Sequence, residues 1–202
     1  TQGNELDEFI TGALSNNLVG LPLDLGAINI ARGRDVGNPP LNAARKSFHN
    51  ATGDTRLAPY GSWGDYLDNL RHEASLINFL AAYGRHPLLA GPDGIIGNAD
   101  DPHTTYEGRR DAACAIVGAL STEFCPEVGF VSTIGTPDDA IDFLFSLGDW
   151  ANTSDGGASV TGDSHTGVDD IDFWNGGLAE ARMPFGGYLG STHNFVFENQ
   201  LE

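Results

Sequence analysis

The stretch from Asp24 to Pro40, DLGAINIARGRDVGNPP, constrains this chain more than any other. Two polar side chains, Asn29 and Arg32, stand three apart in an otherwise apolar run of Leu25, Ala27, Ile28, Ile30 and Ala31. On a helix that spacing puts the amide and the guanidinium on one face, with apolar neighbours on either side. A helix buried with such a face must find a partner for each group, because an unpaired amide or charge is costly to desolvate. Gly33, Arg34, Asp35, Gly37, Asn38 and two prolines then end the helix and turn the chain sharply.

Charge excludes several classes of partner. The 202 residues carry 10 Lys+Arg against 28 Asp+Glu, a formal net charge of -18. Such a surface repels phosphate backbones and anionic lipid alike, so nucleic acid is not an expected partner. With 40% apolar residues, 11 Phe and 3 Trp, a core can form, as one ordinary domain or part of a larger one. No apolar run approaches the roughly 18 residues of a spanning helix, and the opening TQGNELDEF lacks the basic and apolar regions of a signal peptide. The chain reads as soluble, with no membrane span.

Helical periodicity recurs along the chain. Residues 5–19 place Leu6, Phe9, Ile10, Ala13 and Leu14 on one stripe. Leu41–His49, Trp63–Leu70 and Glu73–Tyr83 read as further helices, the last apolar on most sides and closed by Gly84 and Pro87. Glu107–Phe124 reads as one continuous helix stopped by Pro126, and Thr136, Pro137, Asp138 and Asp139 give a start signature for a helix over 140–147. Residues 151–167 read as a polar surface loop. The two cysteines, Cys114 and Cys125, would lie about 16 Å apart on a continuous helix rising ~1.5 Å per residue, too far to bridge. Two buried thiols are expected.

The glycine-rich GPDGIIGNADD clusters Asp93, Asn98, Asp100 and Asp101 on a turning backbone. Convergent carboxylate and amide oxygens suit a hard cation, calcium first. The loop resembles the aspartate and glycine loops of secreted bacterial calcium-binding repeats, and the other reading is a solvated acidic turn. Serine-nucleophile elbows, phosphate loops and zinc spacings are not found.

The opening segment also carries a resemblance. Asp24, Leu25, Ile28, Asn29, Arg32, Arg34, Asp35 and Gly37 resemble D-L-x-x-L-N-x-x-R-x-R-D-x-G, the signature helix of the animal-type haem peroxidases in the peroxidase–cyclooxygenase superfamily. Asn42 and Arg45 stand at the usual polar positions of the helix that follows. A second block, Asp170, Ile171, Asp172, Trp174, Gly176, Gly177, Leu178, Ala179 and Glu180, is similar to that family's D-I-D-x-W-x-G-G-L-A-E. After it, Gly190 opens a helix with Phe195, Val196, Phe197 and Leu201 expected to pack inward. The resemblance is strong over 5–50 and 168–202 and loose between.

The resemblance implies a mainly α fold with long loops and little sheet. Residues 1–202 would be the C-terminal part of one haem peroxidase domain, of bacterial type. It implies haem b as cofactor, with the ligating histidine outside this chain. Asn29 would bond that proximal histidine, and Arg32 would contact a haem propionate, as suits an imidazole needing a fixed tautomer and a carboxylate meeting a guanidinium fork. Arg34 and Asp35 are expected to hold the turn locally. None of the six histidines stands in a ligand motif, and His193 takes a position where an apolar residue is expected. The implied reaction reduces hydrogen peroxide and oxidises a halide or an organic donor. Its partners are the remainder of the peroxidase chain and these small substrates. The isolated fragment is expected to be inactive, and the location to be extracellular or at the cell surface. The alternative is a non-catalytic, acidic, calcium-binding interaction module of a secreted bacterial protein.

Overall fold

The computed structural model describes residues 6–15, 20–125, 134–151, 165–184 and 187–201. Among these residues there are ten α-helices and no sheet, so the fold is mainly α. In chain order they are α1 (Gly12–Ser15), α2 (Leu25–Asp35), α3 (Leu41–Thr52), α4 (Trp63–Asp68), α5 (Ser75–Tyr83), α6 (Pro87–Ala90), α7 (Tyr106–Val117), α8 (Ala140–Phe145), α9 (Phe173–Ala179) and α10 (Ser191–Leu201). No helix among the described residues is long and apolar enough to cross a membrane. The chain divides into two compact units, Thr1–Ala58 with Asp172–Glu202, and Pro59–Ile171. The first holds most of both stretches in which the resemblance is strong.

In the first unit, Asp24 caps α2 by accepting the Ala27 amide at 2.9 Å, and Gly37, at φ +78, carries the chain away from its end. Pro40 leads into α3, which stops at the left-handed Gly53. The centre of this unit is polar. The side chains of Arg45 and Glu180, 3% and 2% exposed, meet at 2.7 Å. Arg45 also donates to the Ala58 and Arg56 carbonyls at 2.9 and 2.8 Å and to the Ser191 and Thr192 hydroxyls at 2.9 Å each. Glu180 accepts the Thr192 amide at 2.8 Å, taking up one of the donors that every helix start leaves open. One ion pair thus ties α3, the end of α9 and the start of α10 together, with its hydrogen-bonding capacity used.

Apolar packing in this unit is thinner than the sequence suggests. Only Gly12–Ser15 of the expected helix over 5–19 is helical among the described residues; residues 5 and 16–19 lie outside them. Leu6 and Phe9 are exposed, so no buried face holds an earlier turn. In α10 only Thr192 is buried. Phe195 packs on Phe48 with ring centroids 4.7 Å apart, whereas Phe197 and Leu201, expected inside, are exposed.

The second unit has the apolar core: Trp63, Tyr66, Leu76, Leu80, Ile116 and Phe143 are fully buried. The Trp63 indole donates to the Thr166 carbonyl at 2.9 Å. Arg109 of α7 donates to the Ala81 carbonyl at 2.6 Å and the Leu89 carbonyl at 2.8 Å, bracing α5 and α6. Pro87, expected only to close α5, opens α6: a proline suits a first helical position, and the His86 Nδ1 accepts the Leu88 amide at 3.2 Å.

The expected helix from 107 to 124 is corrected. It ends at Val117; Gly118, Ala119 and Leu120 tighten into a turn, and Ser121 is extended. The chain doubles back, the two cysteine Cα atoms come to 6.2 Å, and Cys114 and Cys125 form a disulfide instead of the two thiols expected. The estimate of 16 Å failed because it assumed one unbroken helix.

Candidate functional site

A cleft of about 340 Å³ lies between α2 and the start of α9. Asn29, Ile30, Arg32, Gly33 and Val36 line it from one side, Asn38 and Pro39 from the turn, and Asp172, Phe173 and Trp174 from the other. The three-residue spacing read in the sequence does bring Asn29 and Arg32 to one place. Their burial is corrected, however: no residue of α2 is buried, Asn29 is half-buried and Arg32 is exposed. Neither side chain has a hydrogen-bond or ion-pair partner among the described residues. Two donor-bearing groups therefore open into one cleft with their capacity unspent.

Arg34, expected to hold the turn locally, also makes a distant tie. It reaches 138 residues along the chain to Asp172, with Nε on Oδ1 at 2.8 Å and Nη2 on Oδ2 at 2.6 Å. Pro40 and Asp172 also form an antiparallel backbone bridge. Two ties thus fix the spacing of the cleft walls. Asp172, Phe173 and Trp174 were legible only as part of the D-I-D-x-W block; nothing in that block by itself says that these side chains face α2.

His193 packs behind this wall. Its ring meets Phe173 edge-on at 5.1 Å and lies where a Cβ on Gly177 would come within 2.9 Å, so it fills core space. Burial pushes its pKa down from 6.5, against a smaller upward pull from Glu180. The folded state thus favours the neutral ring. Its contribution to stability is complete above the unfolded value of 6.5 and is lost as pH falls from there toward the lower folded value. The unfolding midpoint is expected to drop between pH 7.5 and 5.5 more in the wild type than in His193→Phe; parallel curves would refute this.

In the second unit, His86 and Trp150 stack with centroids 5.6 Å apart. Both donate to Asp139, from Nε2 and Nε1, at 3.1 Å each. Burial pushes the Asp139 carboxyl up, but these two hydrogen bonds, together with the His86 charge and a backbone hydrogen bond, outweigh it and lower its pKa from the usual carboxylate value. Both nitrogens of His86 are engaged, so the cluster braces α6 and α8. Asp139, expected to serve the helix start, makes no side-chain cap.

The calcium site expected at Asp93, Asn98, Asp100 and Asp101 finds no support. Asp93 accepts the Ile95 amide at 2.9 Å and the Asn98 side chain at 2.8 Å. Asp101 accepts the Gly97 amide at 2.7 Å and faces the Arg109 guanidinium at 3.7 Å, so a cation already stands beside its charge. No group of three or more His, Cys, Asp or Glu able to hold a metal occurs among the described residues.

Comparison with protein families matches residues 1–85 to the animal haem peroxidases. The matched segment, which includes Asn29, Arg32, Arg34 and Arg45, is similar over that length to a family of haem-dependent oxidoreductases. The block from Asp170 to Glu180 lies beyond the match. No curated protein and no solved structure matches.

The cleft residues fit the edge of such a cofactor. An unpartnered guanidinium and amide stand against an apolar wall of Ile30, Val36, Phe173 and Trp174, a donor set suited to a planar ring with carboxylate arms. The lining holds no His, Cys, Met or Tyr to ligate iron.

Proposed function

We propose that this chain forms one wall of the haem cavity of a peroxidase that reduces hydrogen peroxide and oxidises a halide or an organic donor. The observation that carries the reading is the convergence in one cleft of Asn29 and Arg32, both without partners among the described residues and both within the segment matched to the animal haem peroxidases. Haem, when bound, supplies the redox chemistry. Arg32 holds a propionate through its guanidinium fork. The Asn29 carbonyl would accept the ring N–H of an iron-ligating imidazole supplied by the remainder of the protein, fixing its tautomer and raising its basicity. Ile30, Val36, Phe173 and Trp174 keep water from the ring face. An extracellular or cell-surface location is part of the proposal, supported by the Cys114–Cys125 disulfide, which persists in oxidising compartments.

Haemin titrated into the protein should show a saturable absorbance change, with Arg32→Ala binding about tenfold more weakly, the loss of one charged hydrogen-bonding group. Asn29→Ala should leave affinity nearly intact and shift the reduction potential of the bound iron once an axial imidazole is present. Equal affinity in wild type and Arg32→Ala would sink the propionate assignment, and an unmoved potential the role of Asn29.

A further inference from the structure

Arg34 does not itself line the cleft, and its fork occupies both carboxylate oxygens of Asp172, at 2.8 and 2.6 Å. Asp172 is mostly buried, with 15% of its side chain exposed, and lines the same cleft as Arg32. The lining therefore contains one cation, Arg32, and one anion, Asp172. Left to themselves these charges cancel, and an incoming carboxylate meets a cleft without net attraction. Near a protein surface opposite charges act on each other more strongly than in bulk water, and added salt weakens the effect.

We propose that Arg34 is a charge-setting residue for this cleft: by binding Asp172 on both oxygens it leaves Arg32 as the uncompensated cation that receives a ligand carboxylate. The inference rests on the reading that the cleft takes an anionic planar ring. The α2 sequence supplies the arrangement directly, because Arg32 and Arg34 are two apart and so cannot share one helix face. One arginine turns into the cleft and the other onto the Asp172 carboxylate. Asp35, the neighbouring acid on α2, is exposed and does not line the cleft. A purely mechanical role, clamping α2 to α9, predicts different behaviour when both partners are removed.

Metal-free protoporphyrin, which needs no axial ligand, serves as the probe in fluorescence titrations of the 202-residue protein. Arg34→Ala is expected to weaken binding about tenfold, because the Asp172 charge, no longer offset by Arg34, opposes the ligand carboxylate. Arg34→Lys, which keeps the charge without the fork, should retain most of the affinity. The decisive arm is Arg34→Ala with Asp172→Asn, which should return affinity to within about twofold of wild type. Asp172→Asn alone should bind at least as tightly as wild type, with a steeper fall as salt is raised. A double variant as weak as Arg34→Ala, with circular dichroism unchanged, would overturn the proposal in favour of a clamp. Failure of the wild type to bind, or equal binding by Arg32→Ala, would instead overturn the underlying haem-cavity reading along with it.

Discussion

Replacing Glu180 by alanine is expected to remove about 3–5 kcal/mol of stability, the cost of leaving a buried charge without its partner. Arg45 is 3% exposed at its side chain and has no route to water. With Glu180 gone, its guanidinium keeps the Ala58 and Arg56 carbonyls and two hydroxyls but loses its counter-charge. The Thr192 amide loses its acceptor as well, which opens the first turn of α10. Urea unfolding followed by far-ultraviolet circular dichroism checks this; a loss below about 1 kcal/mol would place the pair among surface bridges of little consequence. Changing both residues together to apolar ones of similar volume should recover most of the loss, because the desolvation cost disappears with the charges.

Gly167→Ala should cost about 3 kcal/mol or more, in the second unit, by combining backbone strain with overlap. Gly167 has φ +88, a conformation that an L side chain rarely adopts, and a Cβ built there would overlap the Tyr83 carbonyl. Neither conflict can be relieved alone. Moving the strand of chain at 166–167 breaks the hydrogen bond from the Arg85 amide to the Thr166 carbonyl, 3.1 Å, and that from the Trp63 indole to the same oxygen, 2.9 Å. Gly61→Ala is the control, since its Cβ would meet nothing within 4 Å and its φ is not in the left-handed region. Equal thermal midpoints for the two variants would refute the argument.

The helical class was legible because helix signals are local. Asp24, Ser62 and Thr105 each cap the helix that follows with a side-chain oxygen, and the prolines and glycines that stop helices act within a few residues. The pairing of Asn29 with Arg32 in one cleft was legible for the same reason, being a matter of periodicity. What was not legible depends on distant chain. Arg34 pairs with Asp172 and Arg45 with Glu180 across sequence separations of 138 and 135. Cys114 and Cys125 were misread because a periodic pattern continued past a turn that Gly118 permits. For the acidic loop, composition leaves calcium and a plain turn both open, and does not reveal that Asp101 faces Arg109.

The absence of any buried residue on α2 has a dynamic meaning. A helix resists local opening through the apolar area that opening exposes, and α2 has little to expose. Its amides are therefore expected to open without unfolding the rest of the unit. A ligand gripped by Arg32 closes that local equilibrium in proportion to its occupancy. If the proposed ligand is held by Arg32, the amides of α2 are expected to exchange more slowly when it is bound.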